Sequence, residues 1–289
     1  MSKRLFCFGL GYTAEVLARR LAARGWRIAG TTRDPAKAEA LRRQGWEMHP
    51  FSRDLPLIDP AAALAGTTHL LHSIIPDEAG DPVADRHLSD LQALPSLEWF
   101  GWLGTTAVYG DRGGEWVDEE AELSPTVARA RRRLEAERAW LASGLPVHLF
   151  RLAGIYGPGR NQLRDVLAGT ARRIVKPGQV FSRIHVEDIA TVLEASMARP
   201  RPGAVYNVCD DEPAPPQDVV AFAAELLGVQ PPPELDYATA QLSPMARSFY
   251  ADNRRVRNDR IKRELGVELA YPGYREGLRA LLAVERGRA

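Results

Sequence analysis

Gly9, Gly11 and Ala14 stand at G-x-G-x-x-A spacing, directly behind the apolar run Leu5-Phe6-Cys7-Phe8 and ahead of an amphipathic segment. A short continuous apolar run is what a parallel strand covered on both faces requires. Glycines let the chain turn tightly and bring backbone close to a diphosphate. A helix that begins at once adds free N–H groups and positive potential for the same anion. Glycines also punctuate ordinary strand-to-helix turns, so the motif gains its weight from context. Strand, turn and helix start together read as a dinucleotide site lined by Gly9, Leu10, Gly11, Tyr12 and Thr13.

Cofactor choice turns on the end of the second strand. An acidic residue there would accept hydrogen bonds from the ribose 2′-hydroxyl and favour NAD. This chain carries Thr31-Thr32-Arg33. Arg33 could grip a 2′-phosphate bidentately, with Thr32 adding a hydroxyl, so the expectation is NADP, with NAD possible. Asp34 could still face the ribose, and Arg33 could equally be a solvated residue before an Asp34-Pro35 helix start.

Other groups could do chemistry. His72 and His185 lie near expected strand ends and titrate near neutrality, although a histidine so placed is more often a hydrogen-bonded structural residue. Arg247, Arg254, Arg255 and Arg257 form a local basic cluster that reads either as an anion-binding face or as a solvated turn. No cysteine, histidine or carboxylate grouping has metal-ligand spacing, and no Ser-His-Asp arrangement stands out.

These residues need elements to hold them. Helical spacing runs from Thr13 to Arg24, Pro35 to Gln44, Pro125 to Ser143 and Glu187 to Met197. Strand-like runs occupy Trp26–Thr31, Trp46–Phe51, His69–Ile74, Trp99–Leu103, Val147–Leu152 and Ala204–Val208. Strands alternating with helices imply right-handed crossovers in a parallel sheet. Beyond that, Pro213, Pro215, Pro216 and Pro231-Pro232-Pro233 break the rhythm into shorter helices, although 219–227 and 261–265 stay amphipathic.

The totals set bounds. With 289 residues, 45% apolar and 26% charged, the chain can bury a full core, and a formal charge of +1 gives no reason to expect nucleic acid or membrane as partner. Two cysteines, Cys7 and Cys209, do not make a disulfide framework. No signal peptide or bilayer-length apolar run is evident, so cytoplasmic is the default.

Several segments together resemble the extended short-chain dehydrogenases/reductases, the epimerase/dehydratase-like group. Gly104-Thr105-Thr106-Ala107-Val108-Tyr109-Gly110 is similar to the group's Ser/Thr-rich segment ending in VYG. Arg151 to Gly159 is similar to its RxxxxYGPG segment, Ile184-His185-Val186-Glu187-Asp188 to its hVxD segment, and Tyr206-Asn207-Val208 to its YNV strand. The resemblance implies a doubly wound α/β fold of Rossmann type. A dinucleotide-binding domain would cover 1–155, its sheet completed by about 184–209. A smaller C-terminal substrate lobe would be built from 156–183 and 210–289.

The resemblance also assigns roles. Thr105 takes the position of the catalytic Ser/Thr, Ser73 and Arg133 border the cofactor, and Tyr156 and Arg247 border a small-molecule substrate, possibly anionic. Tyr109 belongs to a structural segment. The group's Tyr-x-x-x-Lys pair is absent: the Leu134…Glu137 pattern puts Arg133 at the lysine position and Arg129 at the tyrosine position. Arginine stays protonated in proteins and cannot shuttle the tyrosine's proton. Arg129, Arg131, Arg132 and Arg133 could also form a solvated helix face. Arginine at both positions resembles the atypical, YeeZ-like branch. The expectation is an NAD(P)-binding, atypical oxidoreductase of unknown substrate. The alternatives are a non-catalytic NADP-binding sensor or interaction protein, and a sugar-nucleotide epimerase/dehydratase. Oligomeric state is left open.

Overall fold

The computed structural model describes residues 3–286. Seven strands form one sheet: β1 (Arg4–Phe8), β2 (Arg27–Thr32), β3 (Glu47–Pro50), β4 (His69–His72), β5 (Trp99–Thr105), β6 (Val147–Leu152) and β7 (Val205–Val208), in the order β7-β6-β5-β4-β1-β2-β3. The registers of β1 with β2 and β4, of β2 with β3, and of β4 with β5 are all parallel. The order reverses direction at β1, so the crevice at the carboxyl end of β1 is where a doubly wound sheet binds ligands.

The first five helices in chain order are α1 (Tyr12–Ala22), α2 (Pro35–Arg42), α3 (Pro60–Leu64), α4 (Pro82–Gln92) and α5 (Ala128–Leu141). Three of them open on the same dipeptide. Asp34, Asp59 and Asp81 are N-caps whose carboxylates accept backbone N–H groups, each followed by proline at the first helical position. The sequence expectation included α2 but not α3, whose five residues are too few to show periodicity.

Two boundaries differ from expectation for visible reasons. β4 stops at His72 rather than Ile74, because Ser73 and Ile74 turn to bond the β1 end and the His72 ring. α5 starts at Ala128 rather than Pro125; the Thr126 hydroxyl instead donates to Asp252 at 2.6 Å.

The chain divides into two compact units. One holds the segment up to Thr105, Ala128–Arg151 and Ala190–Tyr206. Its core packs Phe6, Phe8, Leu70, Phe100, Trp102, Trp140 and Leu149 among other buried apolar residues. The other holds Thr106–Val127, Leu152–Ile189 and the chain from Asn207. Its core joins Tyr156, Leu163, Val219, Ala223, Tyr274 and Leu278, and three short parallel pairs brace it: 154–156 with 183–185, 173–175 with 234–236, and 116–117 with 255–256. Cys7 and Cys209 are buried free thiols. Among the described residues, no helix is long and apolar enough to cross a membrane.

Candidate functional site

The glycine turn sits where β1 meets α1. Gly9 has φ +81°, a left-handed conformation that glycine adopts without strain. A Cβ built there would lie 2.8 Å from Ile74 Cγ1 and 3.0 Å from Ser73 Oγ. Gly11 differs: the nearest atom to its ideal Cβ is the Gly9 carbonyl oxygen at 3.9 Å, an ordinary van der Waals contact, so a side chain there would not be crowded. Gly11 is the N-cap of α1 and makes no side-chain cap hydrogen bond.

What clamps the turn is Thr31, a residue the sequence reading used only for cofactor choice. Its hydroxyl oxygen accepts the Gly9 N–H at 2.9 Å, and its carbonyl accepts the Leu10 N–H at 2.8 Å. Leu10 is 1% exposed, so any contact it makes with a ligand is through backbone. Its side chain fits because Gly30 lacks one: a Cβ on Gly30 would lie 2.8 Å from both Leu10 Cδ1 and the Cys7 carbonyl. An isolated glycine inside a strand pattern signals such a close approach, and Gly30 carried that signal in the sequence.

At the end of β2, Arg33 is exposed and Thr32 half-buried. The Thr32 hydroxyl oxygen accepts the Asp34 N–H at 3.2 Å. The Asp34 carboxylate accepts Ala36 and Lys37 N–H groups at 2.9 and 3.1 Å. The acidic residue nearest the ribose position therefore serves as a helix cap.

At the end of β4, the Ser73 hydroxyl donates to the Gly9 carbonyl at 2.5 Å and its N–H donates to the Phe8 carbonyl at 3.0 Å. His72 is fully buried and pairs with Asp81 at 2.8 Å, so it presents no ring nitrogen to a ligand. Thr105 closes β5, half-buried.

On α5, Arg129 and Arg133 are half-buried and one turn apart. Arg133 is not on a solvated face. Its Nη2 donates to the Leu103 carbonyl at 2.6 Å and its guanidinium lies 5.1 Å over the Trp102 ring. Burial pulls its pKa down to about 10 against the opposing pull of Asp81 and Glu137, which leaves it cationic at neutral pH.

In the second unit, Tyr156 is 5% exposed, its hydroxyl donates to the Gly273 carbonyl at 3.3 Å, and its ring packs edge-on to His185 at 5.1 Å. Burial raises its hydroxyl far above the usual tyrosine range. The structure thus puts Tyr156 in the hydrophobic interior of its unit, with its proton held by a backbone carbonyl. His185 is buried as well. Arg247 is exposed on the helix Pro244–Phe249, with its guanidinium 5.1 Å over Tyr237; Lys176 lies 5.3 Å over the same ring.

The rest of the basic cluster is tied down. Arg254 donates to the Gly110 carbonyl at 2.8 Å and pairs with Asp252 at 3.1 Å, Arg255 donates to the Gly114 carbonyl, and Arg257 lies over Trp116. Two segments singled out in the sequence prove to be braces. The Asp188 carboxylate accepts Ala270 and Tyr271 N–H groups at 2.8 and 3.0 Å, and the Tyr109 hydroxyl donates to Asn207 at 2.7 Å.

No family model matches the chain. Protein YeeZ of Escherichia coli (strain K12) is 29% identical over 93% of this chain and 97% of its own. A 3-diazoavenalumate denitrifying reductase of a Streptomyces species is 31% identical over 58% of this chain and 59% of its own. Among solved structures, a protein of unknown function from Silicibacter pomeroyi is 57% identical with a TM-score of 0.88, covering 98% of this chain and 99% of the other. A Methylobacillus flagellatus protein, provisionally assigned as an NAD-dependent epimerase/dehydratase, is 26% identical with a TM-score of 0.71 and covers 99% of each chain.

The solved neighbours include extended, epimerase/dehydratase-like short-chain dehydrogenases/reductases, and the 29% identity to YeeZ supports the YeeZ-like branch of that group. The likeness fixes the scaffold and leaves the reaction to the site, because one fold hosts many chemistries.

Proposed function

We propose that the chain is an NADP(H)-binding, atypical oxidoreductase acting on a small, anionic molecule. The observation that carries this reading is the glycine turn at the α1 N-cap, where Gly11 carries no side-chain cap and is uncrowded, next to a β2 end whose one acidic side chain, Asp34, is spent on capping α2. These residues suit a dinucleotide. Gly9, Leu10, Gly11, Tyr12 and Thr13 offer backbone to a diphosphate, Ser73 backs the turn, and Thr32 and Arg33 suit a 2′-phosphate. A bound nicotinamide supplies or accepts a hydride.

The chain's own residues then position and polarise. Thr105 offers a hydroxyl at the end of β5, and Arg133 of α5 holds a positive charge on the Leu103 carbonyl of the same strand. Within the second unit, Arg247 is the candidate cation for an acidic substrate. Neither Arg129 nor Arg133 gives up a proton at neutral pH, so the proton that accompanies hydride transfer comes from solvent or substrate. The names of the relatives support the direction: an NAD-dependent epimerase/dehydratase and a reductase. The same two arginines also support a second reading, a non-catalytic NADP-binding sensor. Titration with NADPH and NADH tests the binding. A metabolite panel followed at the reduced-nicotinamide absorbance separates enzyme from sensor, since turnover of any panel member removes the sensor reading.

A further inference from the structure

A line of contacts runs from the start of α4 to the glycine turn. Asp81 caps α4 by accepting Val83 N–H at 2.9 Å and Ala84 N–H at 3.2 Å, and it also accepts the Trp140 indole N–H at 2.9 Å. His72 Nε2 lies 2.8 and 2.9 Å from its two oxygens. On the other side of the ring, the Ile74 N–H donates to His72 Nδ1 at 3.2 Å. A backbone N–H can only donate and an ionised carboxylate can only accept, so these bonds place a ring proton on Nε2 and make Nδ1 the acceptor.

Ile74 and Ser73 in turn form the wall behind Gly9. Ser73 donates to the Gly9 carbonyl, Ile74 Cγ1 fills the space where a Gly9 side chain would be, and that same carbonyl accepts the Gly11 N–H at 2.7 Å.

We propose that Asp81, acting through His72, is a positioning residue of the dinucleotide turn. By fixing the Nε2–H tautomer, it keeps the Nδ1 lone pair available to hold the Ser73–Ile74 wall against Gly9. The inference rests on the reading that this turn binds NADP(H). The surroundings suit a fixed tautomer. Phe8, Phe100, Trp102 and Trp140 ring His72, and the Arg133 guanidinium of α5 interacts electrostatically with Asp81. Burial raises the Asp81 carboxyl, but the hydrogen bonds it accepts from His72, Trp140 and Ala84 outweigh it. The group stays ionised, below the usual carboxylate range.

The test is Asp81→Asn, which keeps a good N-cap for α4 but turns one acceptor oxygen into a donor. Facing an amide N–H, His72 shifts its proton to Nδ1, where it opposes the Ile74 N–H. NADPH affinity measured by calorimetry falls about tenfold, the scale of one donor left unsatisfied. Leu91→Ala, a core truncation on the same helix, lowers the unfolding midpoint but leaves the NADPH dissociation constant unchanged. Native binding with an unchanged constant in Asp81→Asn overturns this inference alone. A loss no larger than that of Leu91→Ala does the same. No saturable binding by the native protein overturns the cofactor reading together with it. Imidazole ¹⁵N shifts of the native protein decide independently of any variant: a protonated Nε2 and bare Nδ1 at His72 are expected, and the opposite tautomer or an imidazolium contradicts the proposal.

Discussion

At the scale of single residues, the chemistry turns on which polar groups are already committed. Asp34 holds the α2 N-terminus and Thr32 holds the Asp34 N–H, while Arg33 extends into solvent from the β2 end. A guanidinium meeting a 2′-phosphate makes charge-assisted, two-point contact, worth about 1.5–3 kcal/mol. Arg33→Ala is therefore expected to weaken NADPH binding at least tenfold while leaving NADH nearly unaffected. Parallel titrations check it, and an unchanged NADPH-to-NADH ratio removes Arg33 from the site.

The motif glycines and Arg33 were legible in the sequence because spacing and residue type alone point to them. Thr31 as the clamp was not, because its partners Gly9 and Leu10 come within reach only through the pairing of β1 with β2, Cys7 opposite Gly30. The His72–Asp81 bond was hidden for a similar reason: the residues are nine apart across a loop with no periodicity to relate them.

At the scale of elements, α5 carries the group's departure and much of its own unit's polar interior. Arg129, Arg131, Arg132 and Arg133 read alternatively as a solvated face, yet Arg133 turns inward and Glu137 is 2% exposed. Glu137 meets the guanidinium of Arg151, itself 4% exposed on β6, through both carboxylate oxygens. Removing one member of a buried pair leaves the other charge without its counter-ion, at a cost of about 3–5 kcal/mol. Glu137→Ala should lower the urea unfolding midpoint accordingly, and a change below about 1 kcal/mol would show that water or another group replaces the carboxylate. The helix was predictable from composition; its buried face was not, because arginine and glutamate are normally read as surface residues. The short helix Pro244–Phe249 escaped the sequence altogether, having no buried residue to reveal a periodicity.

At the scale of the whole molecule, the alternation of apolar runs with helical segments pointed to the parallel sheet, and four ordered motifs pointed to the epimerase/dehydratase-like neighbours. The pH response follows from buried histidines in the first unit. His148 is fully buried, its Nε2 accepts the Arg201 N–H at 2.7 Å, and burial pulls its imidazole down to about 4; burial does the same for His69. In the unfolded chain both titrate near 6.5. Between about 6.5 and about 4 the unfolded state binds protons that the folded state does not, so stability is full above that window and falls as the pH drops through it. Denaturant midpoints measured from about pH 7.5 to about pH 4.5 should fall steadily, and His148→Gln should flatten part of the slope. A midpoint independent of pH contradicts the burial of both rings.

The central claim is that the β1–α1 turn binds NADP(H), and direct calorimetric titration of the purified chain with NADPH and NADH tests it. The account predicts saturable, one-site binding with NADPH held at least tenfold more tightly than NADH, a difference of about 1.4 kcal/mol. It also predicts that Gly11→Val, which adds a branched side chain at the α1 N-cap, abolishes that binding while the protein stays folded. Saturable NADPH binding that survives Gly11→Val, or no binding by the native chain, would contradict it.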